Sequence, residues 1–306
     1  MKTARAQEAN VGIRNKFAKK LIQFSNQFRS MVLNDILLHL ASEGALAEDE
    51  SFFKNLDERK RKLVQSLRNK VLSAWKTNPE AFKDDIEGYV ESRLADWTLE
   101  ANNQARLIAL WLARSVAADV SASQRQAYTV AGMPPEYIKL KFKIPVMRSR
   151  MSQRASEVFP FLVESSTELI TKMSVRDVQK LQNLLIKSFA EGHDVSKVKS
   201  LLLTMDGFNA DRAKNVALDQ TNKITTGIQI ANDEDLGITE GVWVHVPGQY
   251  SSRHTHKAMN GKRFRLNEGL YDSDVGKNVV PAEEPFCRCI YRPVIPFEKL
   301  GLKQNR

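Results

Sequence analysis

Residues 251–264 read SSRHTHKAMNGKRF, and residues 285–289 read PFCRC. These two segments hold both cysteines of the chain, Cys287 and Cys289, and two of its five histidines, His254 and His256. They also hold the pair Asn260-Gly261, which favours a tight turn because both residues tolerate positive φ. With Val242-Trp243-Val244-His245-Val246 before it and a strand-like run from Phe286 to Val294 after it, the stretch predicts a small β-containing unit with an Asn-Gly hairpin. The chain upstream reads as helix. The contrast sets the fold class: mainly α, with a long helical N-terminal region followed by a small α+β C-terminal domain.

Working outward, apolar residues recur at three- and four-residue spacing through Phe17, Leu21, Phe24, Phe28, Met31, Val32 and Ile36. A second helical run passes through Leu63, Leu67, Val71 and Trp75 and stops near Asn78-Pro79, because proline disfavours helix in its predecessor. A third places Ile108, Leu112 and Val116 on a face with Trp111. Glu48-Asp49-Glu50 reads as a solvated loop. Further on, Ser174-Val175-Arg176-Asp177 has the form of a capping box opening a helix through Val178, Leu181, Leu184, Leu185 and Phe189, which Gly192 ends. Asp194 and Asn209 suit the N-caps of two more helices. The reading divides the chain into a helical region at 1–132, a strand and helical connection at 133–208, and the α+β domain at 209–300.

One segment breaks the helical period. Ile138-Lys139-Leu140-Lys141-Phe142-Lys143-Ile144 alternates apolar and basic residues between Pro134-Pro135 and Pro145, which predicts a strand with one buried and one lysine face. The lysine row serves either edge protection or contact with phosphate.

The net charge is +10, and it is concentrated. Residues 1–30 carry Lys2, Arg5, Arg14, Lys16, Lys19, Lys20 and Arg29 against Glu8 alone, and residues 137–154 carry Lys139, Lys141, Lys143, Arg148, Arg150 and Arg154 with no acid. Such patches suit a polyanionic partner. No apolar run approaches the ~20 residues needed to span a bilayer, and the basic N-terminus lacks the apolar core of a secretory signal. Two cysteines one residue apart cannot staple distant segments, which suits a reducing compartment.

In extended backbone, residues i and i+2 face the same way. On that basis His254 and His256 form one pair and Cys287 and Cys289 another, together a Cys₂His₂ set of the kind zinc prefers, although not at zinc-finger spacing. The alternative is structural: small buried cysteines and a hydrogen-bonded His256. A catalytic version pairs Cys287 or Cys289 with His256, the thiolate favoured by Arg253 and Arg288; Asp272, Asp274, Glu283 and Glu284 are acids that a metal nuclease would want nearby. The chain has no Walker A loop, H-E-x-x-H or G-x-S-x-G.

The order of several segments resembles the phage Mu F-like head morphogenesis, or minor capsid, proteins. Arg212 to Lys223, containing Asp219-Gln220-Thr221, looks like the family's helix ending in an Asp-Gln-Thr signature; Leu236-Gly237-Ile238 and Val242-Trp243 resemble the strand after it. Arg253 with His256 matches an Arg-x-x-His, Asn260-Gly261-Lys262-Arg263-Phe264 a Gly-Lys-x-Phe, and Cys287-Arg288-Cys289 the closing Cys-Arg-Cys. The likeness covers roughly residues 135–295. The matched histidine is His256, while His254 falls on a variable position, so a family-wide zinc site would need a different fourth ligand.

The resemblance implies a structural virion component with no established catalytic activity. It would lie inside the capsid near the portal, after passing through the host cytoplasm during assembly. Its partners would be the portal protein, the major capsid or scaffolding protein and packaged double-stranded DNA, with no membrane. Lys16, Lys19, Lys20, Lys139, Lys141, Lys143, Arg148 and Arg150 are the candidate contacts to DNA, made to phosphate without base readout. Asp219 would pair with Arg253 or Arg288 to lock its helix to the β unit. The competing reading is a zinc- or cysteine-dependent hydrolase or nuclease carried in the phage head.

Overall fold

The computed structural model describes residues 2–42, 79–190, 210–247 and 253–302, which form six helices and eight short strands. The helices are α1 (Val11–Ser42), α2 (Pro79–Val130), α3 (Pro135–Lys141), α4 (Gln153–Ala190), α5 (Ala210–Asp235) and α6 (His254–Ala258). The strands are β1 (Lys2–Thr3), β2 (Phe142–Val146), β3 (Ser149–Ser152), β4 (Glu240–Val244), β5 (Arg263–Arg265), β6 (Leu270–Asp272), β7 (Lys277–Val279) and β8 (Ile290–Ile295). The chain is thus mainly helical with a small α+β portion at its C-terminal end. No described helix is long and apolar enough to cross a membrane.

The chain forms two compact units, and neither is contiguous in sequence. One gathers Met1–Leu21, Arg106–Thr167 and Ala210–Arg306; the other gathers Ile22–Ala105 and Glu168–Asn209. The divisions at Leu21, Ala105 and Thr167 fall inside α1, α2 and α4, each of which supplies residues to both units.

In the second unit, Phe24, Phe28, Val32 and Ile36 of α1 are buried at the spacing the sequence gives, as are Val90, Trp97, Ala101 and Ala105 of α2. Met31 lies at the edge of the stripe, 36% exposed. Asp35 takes a hydrogen bond from the Trp97 indole at 2.9 Å and an ion pair from Arg93 at 3.0 Å. These bonds satisfy a half-buried carboxylate inside the helical packing.

The first unit holds the sheet. Its order is β1-β8-β4-β5, all antiparallel, with Trp243 opposite Tyr291 and Gly241 opposite both Pro293 and Phe264. The edge strand β1 comes from the far N-terminus: Lys2 pairs with Ile295 and Thr3 with Val294. Two residues with no strand-like alternation gave no signal in the sequence. Trp243, Phe264 and Tyr291 interlock edge to face, with centroids 5.8 and 5.9 Å apart, over a core that includes Tyr128, Met133, Ile138, Phe142, Leu236 and Ile238.

The strand expected at 138–144 is half right. Pro135 sits in the first turn of a helix running to Lys141, where its fixed φ and missing N–H cost nothing, and extended backbone begins only at Phe142. Period two over seven residues lost to a proline-started helical turn that buries Ile138. The expected capping box is absent. Ser174 lies within the continuous α4, and its hydroxyl donates to the Ile170 carbonyl at 3.0 Å. A helix begins at Pro79, with proline at its first residue. The run from Leu63 to Trp75, Glu48-Asp49-Glu50, Gly192, Asp194 and Asn209 lie outside the described residues.

Helix α5 carries an unusual buried face. Asp219, Gln220, Thr221, Thr225, Thr226, Gln229, Asn232 and Asp233 are all buried. The Asp233 carboxylate accepts hydrogen bonds from the Tyr128 hydroxyl, from Gln124 Nε2 at 2.8 Å and from the Tyr291 hydroxyl at 2.7 Å. Asn232 extends the network, donating to Gln124 Oε1 at 2.7 Å and Ser121 Oγ at 3.1 Å and accepting from the Ser152 amide at 3.0 Å. Gly241 lets this form, since a Cβ there would lie 2.6 Å from the Tyr291 ring.

Burial outweighs the three donors and raises the Asp233 pKa from 3.8 to about 7. Between those values the folded state holds a proton that the unfolded state has lost. The contribution to stability is therefore full below pH 3.8 and is lost as pH rises toward 7. Urea titrations between pH 5 and 8 should show wild-type stability falling by up to about 1.4 kcal/mol per pH unit relative to Asp233→Asn, with the difference levelling off above pH 7. Parallel pH profiles for the two proteins would contradict this assignment.

Candidate metal centre

Cys287, Cys289 and His256 converge. Their ligand atoms lie within 4.8 Å of one another, and all three residues are buried. His256 Nδ1 is 3.3 Å from Cys287 Sγ and 3.8 Å from Cys289 Sγ. The other ring nitrogen, Nε2, is 3.0 Å from Asp272 Oδ2, and that pair is also buried. An acceptor at Nε2 fixes the proton there and leaves the Nδ1 lone pair facing the two sulfurs.

Each ligand is placed by a local device. Phe286 adopts φ 60°, a left-handed conformation that costs a non-glycine residue on the order of 1–2 kcal/mol. Asp219 holds it there, accepting the Phe286 amide at 2.9 Å, while Asn222 one helical turn on donates to the Cys287 carbonyl at 3.0 Å. Arg253 Nη1 reaches the Pro285 carbonyl at 3.3 Å. Both cysteines are buried, with the partly exposed Arg288 between them. His256 comes from α6, whose C-terminal turn is closed by Lys262 N–H to the Met259 carbonyl, with Gly261 at φ 79°. The Asn260-Gly261 turn therefore joins a helix to β5 and not two strands, because the left-handed glycine ends the helix. The same turn fastens the end of β4: the Gly261 amide donates to the Trp243 carbonyl at 2.8 Å, and Asn260 Oδ1 accepts the His245 amide at 2.9 Å.

The helix also explains where His254 goes. The pairing of His254 with His256 assumed extended backbone. On α6 two residues are about 200° apart, so the side chains leave on opposite sides. His254 is exposed, 3.6 Å from Asp274, and stands apart from the cysteines. A histidine that the sequence reading did not select stands nearer: His245 Nδ1 is 3.6 Å from Cys289 Sγ. Strand alternation held the signal, since His245 shares the inward face of the fully buried Trp243.

Asp219 does lock α5 to the β unit, but through the Phe286 amide; its ion pair is with Lys223 on its own helix, at 2.9 Å, and not with Arg253 or Arg288. Gln220 donates to Asp219 at 3.0 Å and accepts from Ser166 at 2.9 Å, and Thr221 bonds the Ala217 carbonyl at 2.6 Å. Asp219-Gln220-Thr221 lies in mid-helix, with α5 running on to Asp235.

Hydrogen bonding splits the two thiols. The bond with Cys287 lowers the Cys289 pKa to about 7, while the same bond and burial push Cys287 well up. The hydrogen bond with Cys287 raises His256 against the effect of burial, with Asp272 adding to the rise. Burial lowers His245, assisted by Lys257 and His256, and so favours the neutral imidazole a metal needs. Both cysteines are buried, which suits a closed structural site better than a nucleophile that must meet substrate.

Among the candidate DNA contacts, Lys16, Lys19, Lys20, Lys139, Lys143, Arg148 and Arg150 are exposed and Lys141 is half-buried; Lys20 also lies 5.0 Å over the Trp111 ring. All belong to the first unit. Lys139, Lys143 and Arg150 line a shallow depression with Glu136, Leu140 and Phe142.

Residues 179–292, which enclose the whole His–Cys–Asp cluster, match the family described as Phage Mu protein F like protein. Over that stretch the chain is similar to phage Mu protein F, in agreement with the ordered motifs, and the match points to phage head morphogenesis. A Haemophilus influenzae (strain ATCC 51907 / DSM 11121 / KW20 / Rd) protein, described only as uncharacterized, is 22% identical over 156 residues, 51% of this chain and 34% of the relative. The chain thus spans about a third of the length of that curated relative. No solved structure matches it.

Replacing Asp219 with Ala strands the Phe286 amide and should cost about 1–3 kcal/mol in urea unfolding. Asp219→Asn keeps an acceptor oxygen and should recover most of that loss. Equal losses in the two variants would move the role from the amide to the charge facing Lys223.

Proposed function

We propose that the chain is a structural minor head protein of a tailed bacteriophage, acting in head morphogenesis at the portal vertex and touching packaged DNA without reading its sequence. The observation that carries the reading is the Mu F-like match over residues 179–292, which takes in every element placing His256, Cys287 and Cys289 except β1 and the helical support. The charge adds to it. A net +10, with exposed cations at Lys16, Lys19 and Lys20 and from Lys139 to Arg150, is what phosphate contact requires. The virion interior is the corresponding location, and the portal protein and a capsid or scaffolding subunit are the corresponding protein partners. The alternative, a zinc- or cysteine-dependent hydrolase, has weaker support because its reactive groups are buried.

Two measurements test the two halves of this reading. Binding to unrelated duplexes of equal length should be indistinguishable and should weaken about 100-fold or more between roughly 50 and 200 mM salt. Replacing Lys139, Lys143, Arg148 and Arg150 with Gln should flatten the salt slope by about one for each phosphate-bound cation removed. No binding at the lower salt would remove DNA from the proposal. Mature heads of the parent phage should contain the protein and yield it cross-linked to portal; heads free of it would remove the head role.

A further inference from the structure

We propose that the first unit contains a structural zinc site whose four ligands are His245, His256, Cys287 and Cys289. Three independent features support it. The first is spacing. Zinc bonds of about 2.3 Å to sulfur and about 2.0–2.1 Å to nitrogen give tetrahedral edges of about 3.6 Å between N and S. The three nitrogen–sulfur separations in the cluster are 3.3, 3.6 and 3.8 Å. His256, Cys287 and Cys289 thus already stand at the spacing of a coordination shell, and His245 stands beside it on the Cys289 side.

The second feature is orientation. Histidine ligands of zinc commonly donate their remote N–H to a carboxylate, which fixes the tautomer and raises the basicity of the ligating nitrogen. Asp272 stands in that position behind His256 at 3.0 Å, fully buried, its other oxygen taken up by the Asp274 amide at 3.0 Å. Burial would raise the Asp272 pKa, but that amide, Thr255 and His256 together hold it below the usual carboxylate value. A buried carboxylate is a costly way to orient a histidine that only packs.

The third feature is the fourth ligand. His245 touches the cluster at Cys289, and its Nε2 is buried with no hydrogen-bond partner. Ligation would run through Nδ1, the nitrogen that faces Cys289, with the neutral ring carrying its proton at Nε2. The ring enters from the Cys289 side, with its backbone already anchored by Asn260.

The charge also balances. Binding Zn²⁺ to the two thiols releases two protons to solvent and leaves a neutral Zn(Cys)₂(His)₂ centre beside the ionised Asp272. Two sulfur and two imidazole donors in a tetrahedron match zinc better than magnesium or calcium, which take oxygen ligands. The site would tie together the end of β4, helix α6 and the loop before β8, segments that the sheet alone holds by a few short pairings.

The test is elemental analysis of the full chain, with cobalt substitution as the second readout. We expect one zinc per chain, and in the cobalt form the intense visible bands of tetrahedral geometry together with thiolate-to-metal charge transfer. His245→Ala and Cys287→Ser should reduce bound zinc to background, whereas His254→Ala should retain it. Asp272→Asn should keep the stoichiometry at saturating zinc but weaken affinity about 10- to 100-fold. The cobalt spectrum requires no variant, so a misfolded mutant does not remove the test. Wild-type protein with neither zinc nor a cobalt–thiolate band after exposure to the metal would overturn the site. Full zinc in His245→Ala with loss in His254→Ala would overturn the ligand assignment, and stoichiometric iron or copper would overturn the metal. None of these outcomes depends on whether the protein resides in a phage head.

Discussion

The first unit depends on burying the polar face of α5. A helix normally docks through an apolar stripe; α5 has one in Ala213, Ala217, Ile224, Ile228 and Ala231, but it also buries Asp, Gln, Thr and Asn beside it. Asp219, Gln220, Asn232 and Asp233 have partners of fixed geometry, so α5 has few alternative registers. Asp233 near one end gathers Tyr128 from α2 and Tyr291 from β8; Asp219, about 21 Å away along the axis, gathers the Phe286 amide. Hydrophobic packing alone would tolerate sliding. A buried carboxylate that must meet two hydroxyls and an amide does not.

The cysteine loop follows from this constraint. Phe286 is held in a left-handed conformation that its side chain does not favour, and Asp219 supplies the compensating bond. Released from that bond, the segment would relax toward ordinary extended backbone and Cys287 would lose its alignment with His256. Asp219 therefore shapes the cluster without touching its sulfurs. Asn260 acts likewise on His245 through a backbone amide. Several residues that stand out as a family signature are, physically, clamps on the backbone that carries the ligands.

Much of this was legible in the sequence, and the failures share a cause. The apolar spacing of Phe17, Leu21, Phe24, Phe28, Val32 and Ile36 identified α1 because period 3.6 is a property of the segment itself. Val242 to Val246 identified β4 through local composition, β-branched and aromatic residues in succession. What escaped depends on partners distant in sequence. β1 is a strand only because β8 has a free edge; Ser174 is mid-helix because α4 continues through it. His254 and His256 were paired on the premise of extended backbone, and a turn of helix separates them. The polar face of α5 was invisible to any search for buried apolar residues.

The same geometry bears on what kind of protein this is. A catalytic metal centre keeps a position open for water and substrate, whereas a structural centre closes its shell with protein. Around Cys287 and Cys289 the neighbours are His256, His245, the ring of Trp243, which meets His256 edge to face at 5.5 Å, and the backbone of the cysteine loop itself. Behind His256 the Asp272 carboxylate is engaged through one oxygen with the imidazole and through the other with the Asp274 amide, which leaves it poorly placed to activate an attacking water. The acids that a nuclease would want are otherwise committed: Glu283 and Glu284 to Lys277, Asp274 to Thr255. Asp272, Asp274, Glu283 and Glu284 thus each bond another part of the chain. Exposed cations remain on the surface of the same unit.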